Sequence, residues 1–172
     1  MTIHRTHPFA EGERYPMRQF RSRLGGRVSL WAAGVGRDRG GLTVTSMMLV
    51  GGDPWRVVGA LHTESELLEA MSATGMATVT LLRGGDEYLA EVFAGLAPAP
   101  GGPFRLVEFD ESDWGPILPD RSWIGLRVES MDEIGWSVLA TCTVEHAVIN
   151  PDPKPLHHVR GRYVSTRDEG RD

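Results

Sequence analysis

Residues 27–61 read RVSLWAAGVGRDRGGLTVTSMMLVGGDPWRVVGAL, and the fold class is decided in this stretch. Val28, Leu30 and Ala32 alternate with Ser29, Trp31 and Ala33, the period-two pattern of a strand with two different faces. The polar run Gly36–Gly41 then reads as a turn. Leu42–Val50 is a second β-rich segment, so residues 27–50 predict a hairpin. Gly51-Gly52-Asp53-Pro54 is another turn, and Trp55–Leu61 predicts a third strand. Three strands in succession, joined by turns and not by crossover helices, point to an antiparallel sheet.

The same grammar continues on both sides. Upstream, Pro16 stands where a helix would start, with Met17, Phe20 and Leu24 at helical spacing. Downstream, Thr63-Glu64-Ser65-Glu66 fits a capping box; Leu67, Leu68 and Met71 make a buried stripe, and Gly75 is a stop. Met76–Leu82 predicts a strand, and Gly84-Gly85-Asp86 opens a second short helix closed by Gly95. Residues 96–121, with five prolines and several acidic residues, predict a long irregular excursion holding one strand at Phe104–Phe109. Such a segment serves either as a lid or as a surface insertion over a barrel end. Strong alternation returns at Trp123–Val128 and Trp136–Val144, and Leu156–Ser165 predicts a last extended segment. Residues 1–15 are expected to be a flexible arm, 16–165 the folded domain and 166–172 a frayed tail. The expected class is therefore mainly β: an antiparallel split β-barrel with two or three short helices.

Composition narrows the partners. The net charge is -5 and the only cysteine is Cys142. A nucleic-acid binder carries a basic excess, so none is expected, and the arginines of the first thirty residues read as solvated surface. A lone cysteine fits a reducing compartment. No apolar run reaches the ~18 residues of a membrane helix, and no secretory signal begins the sequence, so a cytoplasmic protein without membrane association is expected. There is no zinc-type ligand spacing, no G-x-S-x-G and no Walker-type loop. Gly34-Val35-Gly36-Arg37-Asp38-Arg39 lacks the third glycine of a dinucleotide fingerprint and lies at a turn.

The order of the segments resembles one known family. Gly41-Leu42-Thr43-Val44-Thr45-Ser46, the Asp53-Pro54 turn, Gly75-Met76-Ala77-Thr78-Val79-Thr80-Leu81-Leu82, Phe93-Ala94-Gly95 and Pro155-Leu156-His157-His158-Val159-Arg160-Gly161-Arg162-Tyr163 together are similar to the flavin-reductase-like, FMN-binding split-barrel family, from about Met17 to Tyr163. The resemblance implies a homodimer with flavin near the subunit interface. It also implies hydride transfer from NADH or NADPH to FMN or FAD, with delivery of reduced flavin to a partner monooxygenase. A flavin- or deazaflavin-binding protein without reductase activity and a dimeric interaction module are the alternatives on the same scaffold.

An isoalloxazine needs an apolar slot with a few polar groups along one edge. Alternation puts Thr43, Thr45 and Met47 on one face of a strand and Val44, Ser46 and Met48 on the other. By resemblance, Thr43, Thr45, Ser46 and Met47 are the expected ring and ribityl contacts. The phosphate is expected at the start of the next helix, among His62, Thr63 and Ser65, where free N–H groups and the dipole favour an anion. Arg160, with Arg162 and His157-His158, is a further phosphate candidate, or part of a polar edge strand at a dimer interface. Two departures from the family pattern stand out. Glu64, Glu66 and Leu67 replace the usual phosphate-binding residues, and Ile134-Gly135-Trp136 stands where many members carry a histidine. No catalytic residue is assigned from sequence.

Overall fold

A computed structural model describes residues 16–165; the expected arm and tail lie outside these residues. The elements in order are α1 (Pro16–Leu24), β1 (Gly26–Arg27), β2 (Ser29–Ala33), β3 (Gly40–Val44), β4 (Met47–Val50), β5 (Arg56–His62), α2 (Glu66–Thr74), β6 (Met76–Leu81), α3 (Glu87–Phe93), β7 (Asp110–Ser112), β8 (Gly115–Ile117), β9 (Trp123–Ile134), β10 (Ser137–Val148), β11 (Leu156–Val159) and β12 (Arg162–Ser165). Seven strands form one antiparallel sheet in the order β3-β2-β6-β9-β10-β5-β4. Its two edges are consecutive in the chain. The run from Gly40 to Val50 pairs first with β2 and then, past Thr45-Ser46, with β5. That bend turns the sheet back on itself, giving the split-barrel form.

The barrel interior is filled from both halves. Trp31, Val57, Leu61, Leu126, Ala140 and Cys142 are fully buried there, and α2 closes the end with Leu67, Leu68 and Met71. Packing around Trp31 is tight enough that a Cβ on Gly59 would lie 2.8 Å from the indole ring. A second core lies outside the barrel wall. Val28, just before β2, and Leu30 of β2 meet Leu89, Ala90 and Phe93 of α3, with Phe104 and Phe109 packed on them. Because both faces of β2 are covered, the whole strand is buried.

Four sequence expectations change. The Thr63–Glu66 capping box does not form: α2 begins at Glu66, and Ser65 at its N-cap makes no side-chain capping bond. Residues 62–64 form a turn of their own instead, in which the Glu64 N–H donates to His62 Nδ1 at 3.3 Å. Residues 104–109 form no strand. Phe104 and Phe109 both turn inward to an edge-on cluster with Phe93 (ring centroids 5.0 and 6.0 Å from Phe93) instead of alternating. The strands of the excursion lie later, as the β7–β8 hairpin. The last extended segment is a hairpin, folded at Arg160-Gly161, whose φ angles of 52° and 74° fit a tight two-residue turn. Finally, the alternation of residues 43–48 breaks at Thr45-Ser46, so Thr43 and Met47 do not share a face.

Candidate functional site

The site follows from register. On β5, Val57, Gly59 and Leu61 point into the barrel, so Arg56, Val58, Ala60 and His62 point out. On β10, Val138, Ala140 and Cys142 point in, so Ser137, Leu139, Thr141 and Thr143 point out. The pairings line these up in rows across the outer face. Met48, Val58 and Thr141 form one row. Ala60 and Leu139 form the next, with Ser46 beyond Ala60: Ala60 N–H donates to the Ser46 carbonyl at 2.9 Å, and Ser46 Oγ donates to the Ala60 carbonyl at 3.0 Å. His62 and Ser137 form the last row, beside Ile134.

The result is an apolar strip of Met48, Val58, Ala60 and Leu139, rimmed at one end by Ser46, His62 and Ser137. None of its members is buried. At the other end, Glu129 accepts from Arg56 Nε at 2.8 Å and from the Thr143 hydroxyl. The Thr143 hydrogen bond holds the Glu129 carboxyl below its ordinary range against the opposing effect of burial, and the neighbouring Arg56 adds to the lowering. A flat apolar surface with a few convergent polar groups on one edge is what a planar heterocycle requires, so these residues fit an isoalloxazine ring.

The expected contacts divide. Thr45 and Ser46 sit together at the strand break. Gly26 lies against them so closely that a Cβ there would be 2.7 Å from the Thr45 carbonyl oxygen, and Gly26 in turn pairs with His158 of β11. His62 joins this group from β5. Thr43 does not, because its hydroxyl donates to the Ala90 carbonyl at 2.7 Å, under α3. Met47 packs toward the barrel core, with its sulfur 3.6 Å from Ser29 Oγ. Arg160 is exposed at the β11–β12 turn, two residues beyond His158, where its N–H donates to the Ser22 carbonyl at 2.7 Å.

Thr63 is exposed in the turn before α2. The Ser65 hydroxyl oxygen is buried without a hydrogen-bond partner at the helix start, which leaves one polar group for an anion there. Glu64 and Glu66 are exposed beside it and place negative charge at the same end. This end of the groove fits a phosphate less well than the strip fits a ring.

Sequence reading missed Ser137 and Gly26. The signal for Gly26 was faint, a Gly-Gly pair before a strand, and Ser137 emerges only from its pairing with His62. Trp136, in the turn beyond Ser137, is 46% exposed. Among the described residues, no cluster of His, Cys, Asp or Glu could hold a metal ion, and no helix is long and apolar enough to cross a membrane.

Comparison with known proteins agrees with this architecture. Residues 21–167 match the family described as flavin reductase like domain, so the chain belongs to the flavin-reductase-like family, a class of flavin oxidoreductases. The reductase component of 4-hydroxyphenylacetate 3-monooxygenase from Thermus thermophilus is 35% identical over 74 residues, 43% of this chain and 50% of that protein. The match thus spans about half of that relative's length. Two solved structures share the fold. The NADH:FAD oxidoreductase of Streptomyces globisporus superposes with a TM-score of 0.80 at 19% identity, covering 92% of this chain and 95% of that one. The styrene monooxygenase flavin reductase of Pseudomonas putida S12 gives 0.76 at 23%, covering 88% and 97%.

Proposed function

We propose that this protein is the reductase component of a two-component flavin system in the cytosol. In this reading it transfers hydride from NADH or NADPH to FMN or FAD and passes the reduced flavin to a partner monooxygenase. The observation that carries the reading is the family match over residues 21–167, joined to an apolar strip with a polar edge on the outer face of β4, β5 and β10. The name of the Thermus relative supports the pairing with an oxygenase.

Bound flavin supplies the hydride-accepting ring, and the protein supplies orientation. Val58, Ala60 and Leu139 give the ring an apolar bed. Ser46, His62 and Ser137 offer hydrogen bonds to its polar edge, and Thr45 flanks the same edge from the strand break. The first turn of α2 takes the phosphate end through Ser65 and free backbone N–H groups. Glu64 and Glu66 place negative charge beside the phosphate end of either FMN or FAD.

The same face supports a homodimer. Met48 is 61% exposed and Ile134 58%. β4 is also a free sheet edge, and apolar edges of this kind are normally covered. A second copy on this face would bury the Arg56–Glu129–Thr143 group and close the ring site.

The test is an absorbance titration of the purified protein with FMN and with FAD, followed by NADH and NADPH. Bleaching of the flavin band with nicotinamide oxidation is the expected result. Binding without bleaching would favour a carrier of flavin or of a deazaflavin. Absence of binding would leave a dimeric interaction module.

A further inference from the structure

We propose that His62 is a positioning residue for the reaction: a directed hydrogen-bond donor that stabilises the negative charge appearing on the flavin when it accepts hydride. The inference rests on the flavin-reductase reading above. It starts from a contact that belongs to the apoprotein. His62 Nδ1 accepts the Glu64 N–H at 3.3 Å, so this nitrogen carries no proton in the neutral ring and Nε2 does. The hydrogen bond fixes the tautomer and orients the ring, leaving Nε2–H as a donor with a set direction.

The position of His62 gives that donor a target. It is the last outward residue of β5, in register with Ser137 and one row beyond Ala60, whose backbone is bonded to Ser46. It is exposed. The other histidines among the described residues are engaged elsewhere. His146 is stacked on Trp114 at 4.9 Å and 14°, while His157 and His158 lie in β11 on the other side of Thr45. The ionisable neighbours of His62 up to the first turn of α2 are Glu64, Glu66 and Glu69. A ligand that gains negative charge here meets an acidic surround, and His62 is the side chain in this turn that offsets it as an N–H donor.

The reaction supplies the charge. The nicotinamide C4–H bond breaks with both electrons. A C–H pair leaves as hydride, the nicotinamide becomes a cation, and the flavin N5–H bond forms. Oxidised flavin is neutral at its ring, so the reduced ring carries one negative charge, delocalised toward its pyrimidine end. No proton is required. A donor aimed at that end favours the reduced form over the oxidised form, the condition under which a contact assists the step instead of merely binding.

The experiment compares wild type, His62→Ala and His62→Gln by separate titrations with oxidised and reduced flavin, alongside the midpoint potential of the bound flavin. In His62→Ala, affinity for oxidised flavin should change less than about threefold while affinity for reduced flavin falls roughly tenfold. The resulting three- to tenfold ratio lowers the potential by about 15–30 mV for a two-electron couple. His62→Gln keeps an N–H donor and should recover part of the difference. Long-range 15N NMR of the apoprotein should show the Nε2–H tautomer of His62. Equal weakening of both redox forms, or no change in either, would overturn the role of His62 and leave the flavin-reductase reading intact. Failure of the wild-type protein to bind any flavin would overturn both.

Discussion

The two outer faces of the barrel are treated in opposite ways. Over β2 and β3 the chain covers itself. α3 and the excursion at 96–121 bring Phe93, Phe104 and Phe109 onto Val28 and Leu30. Arg39 lies over the Phe104 ring at 4.8 Å, and the Tyr88 hydroxyl donates to the Pro98 carbonyl at 2.8 Å. Over β4, β5 and the first half of β10 the described chain lays down no such cover, and Met48 stands more than half exposed; only the far end of β10 is met, where Trp114 stacks on His146. An apolar face left open is a cost unless something else covers it. The covered face therefore serves stability, and the open face is the one on which the proposed ligand and second copy would sit. The excursion belongs largely to the covered face through Phe104 and Phe109, and Trp114 extends it to the far end of β10, where it donates to Glu145 at 2.8 Å.

Substitutions on the two faces should separate stability from binding. The largest effect is expected at Phe93, buried on the covered face with 4% exposure. Phe93→Ala should lower unfolding free energy by ~3–5 kcal/mol in urea denaturation and leave flavin affinity unchanged. A parallel loss of flavin affinity would break the division between faces. Next is Met48→Asp on the open face, at the β4 edge. An unpaired charge in a dimer interface costs several kcal/mol, so sedimentation velocity should show the dimer dissociation constant rising by roughly a hundredfold, with the monomer still folded. A protein that stays dimeric would move the interface to another surface. Third, Thr45→Ala with Ser46→Ala removes two polar contacts of about 1 kcal/mol each. Flavin affinity should fall at least roughly tenfold in an absorbance titration. Thr43→Ala, whose hydroxyl is held by Ala90, should change stability instead.

What the sequence made legible, and what it hid, follows the same line. β9 and β10 were readable because each has one face in the core, which forces a period of two. Thr45 and Ser46 were readable as a polar pair beside a turn. The roles of Thr43 and Met47 were not. Thr43 lost its freedom to a helix 47 residues later in the chain, and the two-residue break at 45–46 reversed the facing of Met47. The capping box did not form because the helix starts two residues later than the Thr-x-x-Glu pattern implies, with Ser65 and not Thr63 at its N-cap. His62 and Ser137 became a pair only through register, which a single sequence does not state.

The smallest effect concerns Glu129, and it tests whether the open face is covered in solution. Hydrogen bonding from Thr143 and the nearby Arg56 depress its folded carboxyl below the ordinary range. A depressed carboxyl contributes stability that is fully present above its unfolded pKa and is lost as the pH falls through the lower folded value. Glu129→Gln should therefore flatten the acid limb of the stability curve and leave neutral pH less stable by a slight margin. In a monomer this group faces water, and salt screens it. In a dimer formed on this face it is removed from water and screening weakens. The acid-limb difference between wild type and Glu129→Gln should thus fall with added salt at low protein concentration and persist at high concentration. A difference equally sensitive to salt at both concentrations would place Glu129 outside any interface, and the open face would then have to be covered by the ligand alone.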